Sequence, residues 1–449
     1  MRLVSTLLTR LRSSLPLVAL AACDSETAEG IPAPELRLAE DMATVVLASW
    51  TPSGEAPDEV RLVWTTDAGE QSTPAVPDGE AWSAVAFGLG PAQEVNFRVV
   101  ATWGGEESTS EDVLFETGTL PVDALTLEET GPNPGWLAVG INNAASGAAI
   151  FDEAGEAVWW WPLPVPTLLV TRVLRSIDQQ SILVSSLAPI GDYDDTTLAI
   201  HRVAYDGTLI ESVPTPGAHH DFFELPDGTL AWLSGEERSF GEKPIRGDVL
   251  MERSPDGVER MVWNSWDDFV YDEEDPRLDS RFLHANAVKY DAATARYWIS
   301  LRSLGSLVVI DQASGDIVEQ YFGDEPTHTL SAGTPLSFQH SFTLLDDGFL
   351  IMDDRAKEAE TSRAAEFTID RGASTFRETW SFESDQGLHI QGLGDALRLD
   401  DGDSLLVWSS AGQLQRVSSD GSTLWRGTTQ LGTILGYGQH TTDPTALPR

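Results

Sequence analysis

The sequence predicts an all-β protein, a six-bladed β-propeller preceded by a small β-sandwich. Three observations predict it. Aspartate-glycine turns recur between β-rich runs from Gly135 onward, helical periodicity is almost absent, and the roughly 90 residues ahead of the repeats alternate apolar and polar side chains in short runs of their own.

Size and charge bound the rest. A chain of 449 residues is too long for one ordinary core, and 41% hydrophobic with 22% charged residues is a globular composition. Acidic residues number 71 against 28 basic ones, for a net charge of −43, and only Lys243, Lys289 and Lys357 are lysines. A field of that sign repels phosphate, so nucleic acid and anionic membrane surfaces are poor partners. Such a surface serves solubility, or a salty habitat in which charges are screened.

Taken in order, the first element is a leader. In "MRLVSTLLTRLRSSLPLVALAACDS", Arg2, Arg10 and Arg12 precede a short apolar stretch that ends in small residues and Cys23. The apolar run falls far short of the roughly 20 residues a bilayer-spanning helix needs, which makes it a secretory signal. Leu20-Ala21-Ala22-Cys23 resembles the lipobox of bacterial lipoproteins. That resemblance implies a signal over 1–23, a lipid on Cys23, and export to the periplasmic face of a membrane or to the cell surface. Cys23 is the only cysteine, so no thiol remains for a disulfide, a metal site or catalysis. Residues 24–32 then read as an acidic tether.

Residues 33–120 carry "VVLASWTP", "EVRLVWTTDAGE", "AVAFGLGPAQEVNFRVVATW" and "VLFETGTLP", with the period and spacing of a small sandwich. Trp50, the Leu89-Gly90-Pro91 turn, Phe97-Arg98-Val99 and Phe115-Glu116-Thr117 resemble a fibronectin type III module. Val95 stands where that family usually has its corner tyrosine. A spacer or docking role, without chemistry, is expected.

Residues 130–449 hold the repeats. "FELPDGTLAWLS", "ERSPDGVERMVW", "TLLDDGFLIMDD", "ALRLDDGDSLLVW" and "RVSSDGSTLW" each place a tight turn between two strands. Two hairpins per unit make a four-stranded sheet, and the units begin near Trp136, Leu168, His220, His284, His340 and Gly394. Six such sheets set radially leave only short, protected edges. Trp159, Trp160 and Trp161 are expected to pack between sheets.

The histidines carry the functional signal. Gly228 follows His220 by eight residues and Gly348 follows His340 by the same number, while His284 has its longer turn at that distance and Gly394 takes the same phase in the last unit. Residues of equal phase occupy equivalent points around the axis, so three neighbouring sheets would each send an imidazole toward one mouth. Chance would align three of the eight histidines this way about once in a thousand arrangements or fewer. His201, His219, His328, His389 and His440 read instead as satisfied polar residues, His219 doubling as a substrate contact beside His220. Arg302 belongs to the unit of His284 and would lie at the top of its second strand, and Asn286 would fix the His284 tautomer or touch a ligand.

Three imidazoles could ligate zinc, but there is no HExxH pair and no acid repeated in phase as a second shell. Three imidazoles and a guanidinium match an anion site better, one that surrounds a sulfuryl or phosphoryl group with donors and offers an in-line nucleophile. No metal and no cofactor is expected.

Several motifs in shared order resemble the arylsulfate sulfotransferases, an exported bacterial family built on a six-bladed propeller, over roughly 135–440. They are His219-His220-Asp221 with Leu225-Pro226-Asp227-Gly228, His284-Ala285-Asn286 with Ser300-Leu301-Arg302, Gln339-His340, "SRAAEFTID" and "GDALRLDDGDSLLVW". The resemblance implies transfer of a sulfuryl group from an aryl sulfate to a phenol, by a ping-pong mechanism through a sulfohistidine. It implies His340 as nucleophile, His284 and Arg302 on the sulfate oxygens, and His220 on those oxygens or as acid/base. Asp353-Asp354-Arg355 replaces the family's Asp-Asn-Gly, with an expected effect on the rim or on acceptor choice. From a different class stands a lipid-anchored propeller that binds a ligand or partner without turnover; a metal-dependent hydrolase or lyase is a third reading.

Overall fold

The computed structural model describes residues 31–66, 69–128, 135–144, 146–188, 197–355 and 361–441. The expected signal, Cys23 and most of the tether lie outside the described residues. The described chain is all-β. Its strands form eight sheets, and its helical pieces are the single turn Ser265–Asp268 and the 3-10 turns Arg302–Leu304 and Ser409–Ala411. No helix among the described residues is long and apolar enough to cross a membrane.

Two sheets come first. Glu35–Leu38, Val46–Trp50, Ala81–Ala86 and Val76–Asp78 form one, and Glu59–Thr66, Gly69–Pro74, Glu94–Trp103, Glu106–Thr109 and Val113–Glu116 the other. Their inward residues, among them Trp50, Leu62, Trp64, Val95 and Phe97, make one apolar core. This unit is docked on the repeats that follow. Thr44 Oγ1 donates to Val158 O at 2.7 Å, and Phe87 lies edge-on to Tyr205 with centroids 4.9 Å apart.

The remaining six sheets follow the chain, each built on four consecutive antiparallel strands except the first. The sequence reading counts two hairpins in every unit. In the first sheet, however, Trp136–Asn142, Gly147–Phe151 and Ala157–Pro162 supply only three strands, and Ile434–Leu435 and Gln439–Thr441 from the far end of the chain pair with Trp136–Asn142. Reciprocally, Thr126–Glu128 pairs with Thr423–Thr428 of the last sheet. First and last segments are thereby zipped together.

Apolar clusters bridge successive sheets and return to the start, one of them joining Leu137, Val139 and Phe151 of the first sheet to Leu405, Val407 and Trp425 of the last. This explains the strand patterns. Middle strands such as Gly348–Asp353 and Ser306–Asp311 are covered on both faces and read as continuous apolar runs, whereas the outer Thr375–Glu383 alternates. Trp159, Trp160 and Trp161 are all buried in these clusters, as the sequence predicts.

The aspartate-glycine turns form as expected, for two different reasons. Gly228 takes left-handed φ (+84°). Gly348 does not; a Cβ there would sit 1.8 Å from Phe367 O, so close strand approach demands glycine.

Candidate active site

The first strands of the third to sixth sheets lie side by side and set the site. These are Phe222–Glu224, Ala285–Asp291, Gln339–Leu345 and Asp395–Arg398. The equal phase read from the sequence has a direct structural counterpart. The residues that follow His220, His340 and Gly394 all reach one buried guanidinium, Arg172. Asp221 accepts from Arg172 Nε at 2.7 Å and Nη2 at 3.1 Å, Ser341 Oγ accepts from Nη2 at 3.1 Å, and Asp395 accepts from Nη1 at 3.4 Å. The Tyr437 ring lies against the same guanidinium, 4.7 Å from Cζ to centroid, and its hydroxyl donates to Asn286 O at 2.8 Å.

Above this hub the imidazoles meet. His220 and His284 have left-handed backbone, φ +59° and +55°. Such a conformation costs a non-glycine residue roughly 1–3 kcal/mol and persists where its surroundings over-determine it. Main-chain bonds do so here: Asp221 N donates to His219 O at 2.8 Å, His219 N to Leu233 O at 3.0 Å, His284 N to Arg281 O at 2.9 Å and Arg302 N to His284 O at 3.2 Å. In the last sheet Gly394 holds φ +104°, and a Cβ would lie 2.6 Å from Ile390 Cδ1, so no side chain is offered there.

The side chains form a row. Arg302 Nη1 lies 3.1 Å from His284 Nδ1, His284 Nε2 lies 3.2 Å from His220 Nε2, and His220 Nδ1 lies 3.1 Å from His219 Nδ1. His219 Nε2 ends the row 3.0 Å from Ser234 O and 3.4 Å from Asp248 Oδ1. One cleft is lined by His219, His220, Arg246, Asp248, Arg281 and His284. Burial, reinforced by neighbouring cations, keeps the rings neutral: it lowers His220 to about 3, and His219 and His284 well below the ordinary imidazole range.

His340 joins through electrostatics rather than hydrogen bonds. It is buried, with a pKa lowered to about 3 by that burial and then by Arg302, and its charge would in turn depress His220 and His284. Its Nδ1 is 2.6 Å from Asp354 Oδ2, though the pair is too poorly aligned for a hydrogen bond. Burial, and then Asp353, raises the Asp354 carboxyl well above its usual range.

Measured against the sequence reading, His220, His284 and Arg302 are brought into direct contact, with His340 beside them. Arg302 sits one residue beyond the strand Arg296–Leu301, in the 3-10 turn, where its guanidinium lies 4.0 Å from the Phe338 ring. Asn286 does not fix the His284 tautomer, because Arg302 occupies His284 Nδ1; the Asn286 amide donates to Gln339 O at 2.7 Å and its Oδ1 has no hydrogen-bond partner. His219 stands behind His220 with both ring nitrogens engaged. Asp353 and Asp354 are not rim residues: both are buried, Asp353 on Arg363 at 3.0 Å and Asp354 on His340. His201 is satisfied by Ser186 and Ser212, as expected of a structural histidine.

Sequence reasoning missed Arg172, Asp248 and Arg281, and misplaced Asp354. Only Arg172 had a usable signal, the polar residue that follows the common phase in Asp221, Ser341 and Asp395. Among the described residues no group of three or more His, Cys, Asp or Glu side chains is arranged to hold a metal ion.

Fold and site together define an all-β protein with a buried row of neutral imidazoles that ends on the Arg302 guanidinium. A sequence model of the arylsulfotransferase (ASST) family matches residues 136–424, and the chain belongs to that family. No curated protein matches it. Similar solved structures include a protein of unknown function from Bacteroides caccae, at 15% identity and TM-score 0.46, over 68% of this chain and 98% of that one. Another is a catalytically inactive virginiamycin B lyase from Staphylococcus aureus, at 14% identity and TM-score 0.40, over 68% of this chain and 89% of that one. Neither likeness bears on the chemistry of this cleft.

Proposed function

We propose that this chain is an exported, lipid-anchored arylsulfate sulfotransferase that moves a sulfuryl group from an aryl sulfate to a phenol through a sulfohistidine, on a six-bladed propeller. The observation that carries the reading is the convergence of Arg302, His284 and His220 beside the buried, neutral His340. Family membership supports the reaction class. Six sheets joined in a cycle by their apolar clusters support the propeller, and the two-sheet unit ahead of them supports a fibronectin type III-like sandwich over 33–120. The lipobox-like Leu20-Ala21-Ala22-Cys23 supports the anchor.

In the first half-reaction His340 is the nucleophile. Asp354 faces Nδ1, so Nε2 is the attacking nitrogen. Its lone pair forms the N–S bond as the S–O bond to the aryl group breaks, and the electron pair leaves on the aryl oxygen. Arg302 and the N–H of His284 disperse the charge on the sulfuryl oxygens, and His220 exchanges the proton of the leaving or arriving aryl oxygen. In the second half-reaction the phenol oxygen attacks sulfur and the N–S bond breaks, restoring His340. The cleft beside the row has about 10 Å³ of free space, and a substrate bound between the rings would part His220 from His284. That frees the His284 N–H for the sulfate and the His220 lone pair for the phenol.

Purified protein given 4-nitrophenyl sulfate and phenol should release nitrophenol with or without chelator, and His340→Ala should not. Turnover in His340→Ala rejects the assignment. Binding of aryl sulfate without turnover in the wild type indicates a ligand-binding propeller instead.

A further inference from the structure

Asp248 has no part in the mechanism above, yet it is a buried carboxyl at the end of the imidazole row, with Oδ2 left without a hydrogen-bond partner. Its Oδ1 accepts from Ala285 N at 2.9 Å and lies 3.4 Å from His219 Nε2.

The row has a direction that its two ends dictate. Arg302 can only donate, so His284 Nδ1 is an acceptor and the neutral ring carries its proton on Nε2. That proton points to His220 Nε2, which therefore accepts, leaving the His220 proton on Nδ1. His219 Nδ1 accepts it in turn, and the His219 proton sits on Nε2, where the Ser234 carbonyl can only accept. Three neutral rings supply the three protons that these contacts need. The assignment from the arginine end and the assignment from the carbonyl end agree.

We infer that Asp248, His219 and His220 form a proton relay that stores the proton of the acceptor phenol and returns it to the next leaving aryl oxide. The relay rests on the sulfuryl-transfer reading. When the phenol attacks the sulfohistidine, its O–H proton passes to His220 Nε2, the Nδ1 proton of His220 passes to His219 Nδ1, and the Nε2 proton of His219 passes to an ionised Asp248. One proton enters at the phenol and one arrives on the carboxylate. In the next donor step every transfer reverses: Asp248 reprotonates His219 Nε2, His219 Nδ1–H protonates His220 Nδ1, and His220 Nε2–H protonates the aryl oxide. His284 and Arg302 keep their tautomers throughout, free to hold the sulfate.

Burial raises Asp248 to about 7, which lets it hold or release a proton near neutrality. His219, Arg246 and Asp279 bear on it from the elements packed around it, along with the main-chain amides of His284 and Ala285. Asp248 and His219 act through His220 and are positioning residues in this sense.

The test compares phenols of differing acidity. Asp248→Asn keeps an oxygen for Ala285 N but cannot store a proton, and His219→Phe cuts the row while keeping a ring of similar size. In both, the loss of rate should grow with acceptor pKa, reaching about 10²- to 10⁴-fold for unsubstituted phenol and far less for nitrophenols. A loss equal for all phenols, or none, overturns the relay. The tautomers give a readout separate from turnover: at pH 8 the resting wild type has lost the stored proton from Asp248 to solvent, and its long-range proton–nitrogen spectra should show His219 protonated on Nε2, His220 on Nδ1 and His284 on Nε2. His219 protonated on Nδ1 overturns the relay even if sulfuryl transfer holds. Wild-type protein with these tautomers and no turnover upholds the row and rejects the transferase reading alone.

Discussion

Replacing Arg172 by methionine should destabilise the protein by about 3–5 kcal/mol, because it removes one partner of a buried ionic cluster and leaves the others charged. The guanidinium is 3% exposed and the Asp221 and Asp395 side chains not at all, so water cannot take its place. Asp221 would retain Lys289, 3.6 Å away, and the amides of Phe222 and Val288; Asp395 would retain the amides of Ala396 and Gly438. These partners place the loss inside the quoted range rather than above it. Against a total stability of about 5–15 kcal/mol, it is large enough to shift a urea midpoint plainly. The pH dependence follows by sign. Burial alone would raise the Asp221 carboxyl, but Arg172 and then Lys289 hold it below the ordinary range in the wild type. Without Arg172 its folded pKa rises above the unfolded one, so its penalty is full at pH 7 and vanishes as pH falls below about 4. The gap between wild type and Arg172→Met, from urea titrations at pH 7, 5 and 4, should therefore narrow with acid. A change under about 1 kcal/mol at pH 7, or a gap that widens with acid, refutes the reasoning.

Three further outcomes are expected. Arg302→Lys keeps the charge but loses the planar fork over Phe338 and the bond to His284 Nδ1, and kcat in the nitrophenyl sulfate assay should fall about 10²- to 10³-fold. Gly394→Ala drives a Cβ to 2.6 Å from Ile390 at φ +104°, and a thermal melt should show a loss of about 1–3 kcal/mol. Because His340 is lowered to about 3 it stays neutral as the medium is acidified, so stopped-flow rates of sulfohistidine formation should not fall between pH 6 and pH 4.5, below the range in which Asp248 titrates; a fall of about tenfold per pH unit there would mean an ordinary imidazole.

Much of this arrangement is legible in the sequence because a repeat converts sequence spacing into spatial position. His220, His340 and Gly394 share a phase, and the structure honours it through Asp221, Ser341 and Asp395 on one guanidinium. What escaped depends on contacts that no spacing encodes. Asp248 comes from the third strand of its sheet and meets His219 only because that strand folds back behind it. Asp354 reads as a rim residue through its departure from the family's Asp-Asn-Gly, but the chain buries it against His340. The pairing of Gln439–Thr441 with Trp136–Asn142 joins residues some 300 apart, which local pattern cannot foresee. Arg172 lies just ahead of the strand Val173–Arg175 and becomes visible as a hub only once its three partners are aligned.

The most direct test of sulfuryl transfer is to quench the protein after exposure to 4-nitrophenyl sulfate without acceptor and locate any sulfo group by peptide mass spectrometry. One group per chain on His340, discharged by added phenol, is the predicted result. An unmodified His340 in protein that still turns over, or a sulfo group on another residue, would contradict it.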